Sequence, residues 1–203
     1  MSLNPSAPII LASGSAVRGA LLRQAGVSFT ADPPDLDESV IKNEGLAAGH
    51  TVAAVAQNLA AAKAAAVVGK HPGAYVIAAD QMLEFEGRWL DKPRTVAEAG
   101  ERLREFSGKA HRLITAIVLR RNDETMLNYT GYAELHVRPL SDAFIAAYLE
   151  AVGEEVCRSV GGYQLEGMGS HLFQSVEGDF FTILGLPLLP LFDMLRKEGV
   201  LPA

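Results

Sequence analysis

Asp80 directly follows the apolar run Tyr75–Ala79. A carboxylate at the C-terminal end of a strand stands where open α/β sheets bind ligands. Such a group can hold a divalent metal or take a proton from an attacking water. The plain alternative is a solvated Asp at a strand end. Upstream, Asp35, Asp37 and Glu38 form a second acidic group on a polar, Pro-containing stretch. One of them can pair with Asp80 to clamp a hard cation such as Mg²⁺. The same residues also serve as loop polarity or as the cap of the next element.

Cations suited to an anionic ligand are spread along the chain. Ile9-Ile10-Leu11 runs through Ala12 into Ser13-Gly14-Ser15 and then a helical pattern carrying Arg18. A strand that opens through small residues into a helix leaves outward N–H groups that suit a phosphate. Arg18 adds a fork of donors at the same end. Lys63, Lys92 and Lys109 are further candidates, each read first as a surface cation. Pro93 stiffens the chain after Lys92, whereas Lys109 follows Ser107-Gly108 at a helix end, where the dipole already favours a cation. The glycine-rich stretch from Gly161 to Gly169 permits tight turns and close approach of a ligand, as glycines do at any turn. No serine or cysteine nucleophile system is visible, and neither is a GxxxxGK[ST] loop or a GxGxxG after a strand. The five histidines are scattered without metal-ligand spacing.

The elements that must position these residues follow from periodicity and breakers. A short helix is predicted over residues 16–24, ending near Gly26, then a loop over 31–38. The alanine-rich, breaker-free stretch 51–68 predicts a helix that carries Lys63. Residues 75–79 form a strand running into Asp80. Residues 82–85 and 88–90 pair as a hairpin across Glu86-Gly87. Residues 95–106 form a helix with Thr95 as N-cap and Glu98 three residues on, a capping box. Two longer strands, 110–119 and 125–137, meet at a turn on Asn122-Asp123. A Ser141-capped helix covers 141–150, and a last helix over 188–198 stops at Gly199. Glu177-Gly178-Asp179 and Leu184-Gly185-Leu186-Pro187 read as turns. Strands and helices mix without strict alternation, which predicts an α/β domain with a mixed sheet.

With 203 residues, 49% hydrophobic and 21% charged, the chain can bury a core as one generous or two-lobed domain. No apolar run suits a membrane span, and no secretory signal is visible. The single cysteine, Cys157, reads as a small buried thiol. A cytoplasmic location is expected. A net charge of −6 disfavours wrapping a nucleic acid polymer but permits a small anionic ligand held by a few converging cations.

Taken in order, these segments resemble the Maf family of nucleoside triphosphate pyrophosphatases. Leu11-Ala12-Ser13-Gly14-Ser15-Ala16-Val17-Arg18 is similar to the family's opening Ser-x-Ser-Pro-x-Arg, and Asp37-Glu38 to its early acidic pair. Ala62-Lys63-Ala64 matches its helical lysine, Ala79-Asp80-Gln81 its strand-end Asp, and Asp91-Lys92-Pro93 its Gly-Lys-Pro. Ser107-Gly108-Lys109-Ala110-His111, Gly162-Tyr163-Gln164-Leu165-Glu166-Gly167, Gly178-Asp179 and Gly185-Leu186-Pro187-Leu188 complete the series. The resemblance implies a two-lobed α/β fold like that of the inosine triphosphatases, with a mixed twisted sheet flanked by helices and a central cleft, as one domain over residues 1–203. It implies hydrolysis between the α- and β-phosphates of a nucleoside triphosphate, a divalent cation (Mg²⁺ or Mn²⁺), and a homodimer. Carried over by position, Asp80 activates water, and Glu38 and Asp80 lie at the metal. Ser13, Arg18, Lys63 and Lys92 line the phosphates. A triphosphate bears roughly four negative charges, so cations around the developing charge suit this allocation.

Ala16 replaces the motif's Pro, and Gly19 stands where some members carry a second Arg. At three base-reading places the branch acting on dTTP and UTP carries Arg, Thr and Gln, and the 7-methyl-GTP branch carries Trp, Gln and Glu. This chain has Val17, Gln81 and Glu166, siding with the second branch at two of three. Glu166 can accept two hydrogen bonds from guanine and complement the charge of 7-methylguanine. Val17 lacks the cation–π contact of a tryptophan. A nucleotide-binding regulator of cell division, with little turnover, is the alternative from another class.

Overall fold

The structure, a computed structural model, describes residues 5–202. In chain order it contains β1 (Ile9–Leu11), α1 (Ala16–Gln24), β2 (Thr30–Ala31), α2 (Glu38–Ala47), α3 (Val52–Val68), β3 (Tyr75–Phe85) and β4 (Arg88–Leu90). There follow α4 (Val96–Phe106), β5 (Ala110–Arg121), β6 (Glu124–Val137) and α5 (Asp142–Val152). Two 3-10 turns (Gly153–Arg158 and Met168–Leu172), β7 (Phe173–Gly178), α6 (Phe180–Ile183) and α7 (Leu188–Lys197) complete it. The strands order as β2-β1-β3-β5-β6-β7, with β4 also on β3. Parallel β1–β2 and β1–β3 ladders stand beside antiparallel β3–β4 and β6–β7 ladders, so the sheet is mixed, as expected. No helix among the described residues is long and apolar enough to cross a membrane.

The chain divides into two compact units. The first comprises the residues up to Asp80, Thr115–Gly131, and those from Leu184 onward. Its β1 is buried throughout and pairs Leu11 with Ile77 of β3. The buried residues of α3 include Val52, Val55, Ala56, Leu59, Ala60, Lys63, Ala64 and Val67. That is the spacing of a helix face turned to a core, with one lysine in the stripe. Gly45 of α2 lies so close to α3 that an added Cβ would stand 2.5 Å from Val55 Cγ2, which brings the two helices together.

The second unit comprises Gln81–Ile114 and Tyr132–Ile183. Its core joins Leu83, Phe85, Leu103, Phe106, Leu135, Ile145, Tyr148 and Tyr163. Phe85 meets Phe106 edge-on at 4.8 Å. Across the β3–β4 hairpin Phe85 pairs with Arg88, and Glu86 and Gly87 both adopt positive φ (49° and 74°), the geometry of a tight hairpin turn.

Four expectations need correction. Asp80 does not end its strand: β3 continues to Phe85 because Leu83–Phe85 find a new ladder on β4. Glu38 is not in a loop but opens α2, a helix with little apolar periodicity that starts at the Asp37 cap. Gly178 closes β7 instead of forming a turn; it adopts φ 126°, and a Cβ there would stand 2.7 Å from the Tyr132 carbonyl oxygen. Cys157 is only half-buried, packed at the edge of the second unit's core.

Candidate active site

The first unit gathers four of the charged candidates. Asp37 caps α2: its Oδ1 accepts from the Ser39 N–H at 3.0 Å and the Ser39 hydroxyl at 2.6 Å. These bonds hold its carboxyl below the usual range, so Asp37 is a cap, and Asp35 is exposed. The cap sets Glu38 in the first turn of α2. From there Glu38 Oε1 reaches Lys63 Nζ at 2.8 Å, and Asp80 Oδ1 lies 2.6 Å from the same Nζ. One buried ammonium thus joins two carboxylates from separate elements.

Arg18 stands next to this group. Its Nε donates to the Gly185 carbonyl at 2.7 Å, and its NH1 donates to the Ala79 carbonyl at 2.8 Å and Ser13 Oγ at 3.1 Å. Ser13 Oγ also accepts from the Ser15 N–H at 3.2 Å, and Ser15 Oγ accepts from the Arg18 N–H at 3.4 Å. The opening loop therefore uses part of its own donor set, and its Ser13 Oγ supplies one of the three acceptors that hold the guanidinium. Val17 is half-buried on α1.

Burial dominates the electrostatics. It raises the Asp80 carboxyl above the ordinary range, against the opposing pull of Lys63 and Arg18 and with a small push from Glu38. Burial lowers the Arg18 guanidinium, opposed by Asp80 and Glu38. The carboxylates that could hold a metal here are those of Glu38 and Asp80, which meet on Lys63. Among the described residues no group of three or more His, Cys, Asp and Glu side chains is placed to hold one. Two carboxylates fit Mg²⁺ or Mn²⁺ when phosphate oxygens and water complete the shell, the usual arrangement for a nucleotide-bound hard ion.

The second unit holds Gln81, Lys92 and Glu166. Gln81 Nε2 donates to the Thr182 and Ile183 carbonyls at 3.0 and 2.9 Å, so its amide anchors α6. Asp179 Oδ2 caps the same helix by accepting from the Thr182 N–H at 2.7 Å. Lys92 and Glu166 are exposed. Lys109 is an exposed cation paired with Glu86 at 2.9 Å.

Two groups take positioning roles that the sequence did not assign to them. Arg102, 8% exposed, donates from NH1 to the Asp91 and Val160 carbonyls, which ties the chain before Lys92 to the start of the glycine-rich stretch. His111 meets the Tyr163 hydroxyl at 2.5 Å and stacks on Phe106 at 4.5 Å. Burial lowers His111 to about 3 and raises Tyr163 well above its ordinary value. Arg102 was legible as a charge on the buried stripe of α4, beside Ala99, Leu103 and Phe106. His111 showed only as the last residue of the Ser107–His111 motif, with nothing to mark Tyr163 as its partner.

A family model described as Maf-like protein matches residues 8–198. A protein of Paramagnetospirillum magneticum named nucleoside triphosphate pyrophosphatase is 48% identical over 95% of this chain and 99% of its own length. One of Rhizobium meliloti named 7-methyl-GTP pyrophosphatase is also 48% identical, over 96% of this chain and 98% of its own. A solved HAM1 protein from Coxiella burnetii aligns with 64% of this chain and 73% of its own at 21% identity and a TM-score of 0.42, a partial likeness only.

Proposed function

This chain belongs to the Maf family, and from that premise we propose that it hydrolyses nucleoside triphosphates between the α- and β-phosphates, leaving a monophosphate and pyrophosphate. The observation that carries this reading is the meeting of Glu38 and the buried Asp80 on the buried Lys63, with Arg18 alongside. Asp80 is a carboxylate whose proton affinity is raised by burial, which suits it to take a proton from the attacking water. Lys63 and Arg18 offset the charge of the phosphate oxygens. Ser13 keeps Arg18 aimed. Glu38 and Asp80 would hold the divalent cation, Mg²⁺ or Mn²⁺, which when bound screens phosphate charge and polarises the scissile group. Lys92 is assigned to phosphate on the resemblance alone.

The base is a purine in this reading, with 7-methyl-GTP the best substrate. Its support is the carboxylate of Glu166 and the name of the Rhizobium relative. Relatives equally similar carry only the broader name, and Val17 supplies no aromatic face. Gln81 enters as the residue that fixes α6 as well as a base-reading candidate. The whole chain acts as one catalytic domain, in the cytoplasm, on free nucleotides and not on nucleic acid polymers. A homodimer rests on the resemblance.

A panel of canonical and modified triphosphates with Mg²⁺ or Mn²⁺, with pyrophosphate and orthophosphate measured separately, tests the proposal. Pyrophosphate release with a purine preference is expected. Tight nucleotide binding without turnover would replace it with the regulator reading.

A further inference from the structure

We infer that the Lys63 ammonium is the resident counter-cation of the Glu38–Asp80 pair and must leave that place before a divalent metal is held there. The inference rests on the pyrophosphatase reading, which supplies the metal's carrier, a nucleoside triphosphate.

Nζ lies 2.8 Å from Glu38 Oε1 and 2.6 Å from Asp80 Oδ1. A Mg²⁺-sized ion held by the same oxygens would stand about 2.1 Å from each, so ion and ammonium claim overlapping space. They also repel, and strongly where the surroundings exclude water. Lys63 is only 7% exposed and its stem is anchored on the buried stripe of α3, which keeps the ammonium beside both carboxylates. Its flexible four-carbon stem allows the head to turn to another anion.

The charges around it balance in the nucleotide-free protein. Arg18 and Lys63 supply two positive charges, and Glu38 and Asp80 supply two negative ones. The site therefore offers little net attraction to a free divalent ion. A triphosphate brings roughly four negative charges, which gives Lys63 a new partner and frees both carboxylates. Metal then loads together with nucleotide, not before it.

Mn²⁺ binding followed by electron paramagnetic resonance decides this without reference to turnover. Nucleotide-free wild-type protein is expected to bind Mn²⁺ weakly, and an α,β-methylene triphosphate should tighten it. Lys63→Met, with Lys63→Gln as a second variant and circular dichroism to check folding, should bind Mn²⁺ alone about tenfold or more tightly than wild type. Adding Glu38→Gln to Lys63→Met should remove that gain. Equal affinity of wild type and variants overturns the inference, and so does a gain that survives Glu38→Gln. Wild-type protein that binds Mn²⁺ equally well with and without the analogue also overturns it, and that arm needs no variant. Failure of the pyrophosphatase reading would show separately, as absence of triphosphate turnover by wild type.

Discussion

Lys63 Nζ and Asp80 Oδ1 stand 2.6 Å apart with their side chains 9% and 8% exposed, yet the pair leaves Asp80 easier to protonate than an ordinary aspartate. Burial outweighs the attraction of the lysine. A carboxylate kept at such cost points to use in chemistry more than to stability.

That balance has a measurable sign. A carboxyl whose folded pKa is raised adds stability below its unfolded pKa and loses it as pH rises through the folded value. Asp80→Asn should therefore melt at or above the wild-type temperature at pH 7.5. The advantage should shrink as pH falls into the ordinary carboxylate range. Thermal melts of both proteins across pH 4–8 check this, and an Asp80→Asn protein that melts lower at neutral pH would speak against it.

Arg18 is bound to two carbonyls and a hydroxyl, and only a planar fork meets all three. Arg18→Lys keeps the charge but should cost about 2–4 kcal/mol of stability, since acceptors are left short of donors. Urea unfolding gives the number. A loss under about 0.5 kcal/mol, the range of an ordinary surface change, would mean the fork is not needed.

His111 works in the opposite direction to Asp80. Its pKa falls from 6.5 to about 3 in the fold, so the unfolded chain binds the extra proton. Stability is full above about pH 6.5 and drains as pH falls toward 3, by up to roughly 5 kcal/mol. His111→Phe should be less stable at pH 7 because Tyr163 loses its partner. Its stability should nevertheless vary less between pH 4 and 7 than that of wild type. An unchanged slope in denaturant titrations would remove His111 from this role.

The turn that leads from Tyr163 through Glu166 is held tightly: a Cβ at Gly169 would lie 2.4 Å from the Gln164 carbonyl oxygen. Gly169→Ala should shift this backbone, at about 1–3 kcal/mol. Glu166→Gln leaves the backbone alone and removes only the carboxylate. In the purine reading it should lower the ratio of kcat/KM for 7-methyl-GTP over ATP by about tenfold, the worth of one charge-assisted bond. An unchanged ratio would take base reading away from Glu166.

The long, periodic elements were legible from sequence. Helices α3, α4 and α7, the β3–β4 hairpin, and the Thr95 and Ser141 caps all stand where spacing and breakers put them. The elements that escaped are those held by tertiary contact and not by pattern. β7 is exposed at all but its first residue and owes its form to pairing with β6. α2 begins at an Asp cap but has little apolar face. At the site, residue types pointed to Asp80, Lys63 and Arg18, but no spacing shows that Lys63 bridges two carboxylates. Lys63 does fall on the apolar stripe of α3, where a lysine needs a partner.

Pyrophosphate release by Asp80→Asn, set beside wild type at the same pH and metal concentration, tests the central claim most directly. With the variant folded, kcat should fall by about 10²–10⁴-fold, the usual worth of a positioned general base. Turnover within a few-fold of wild type would contradict the assignment of Asp80 as the group that takes the proton from water.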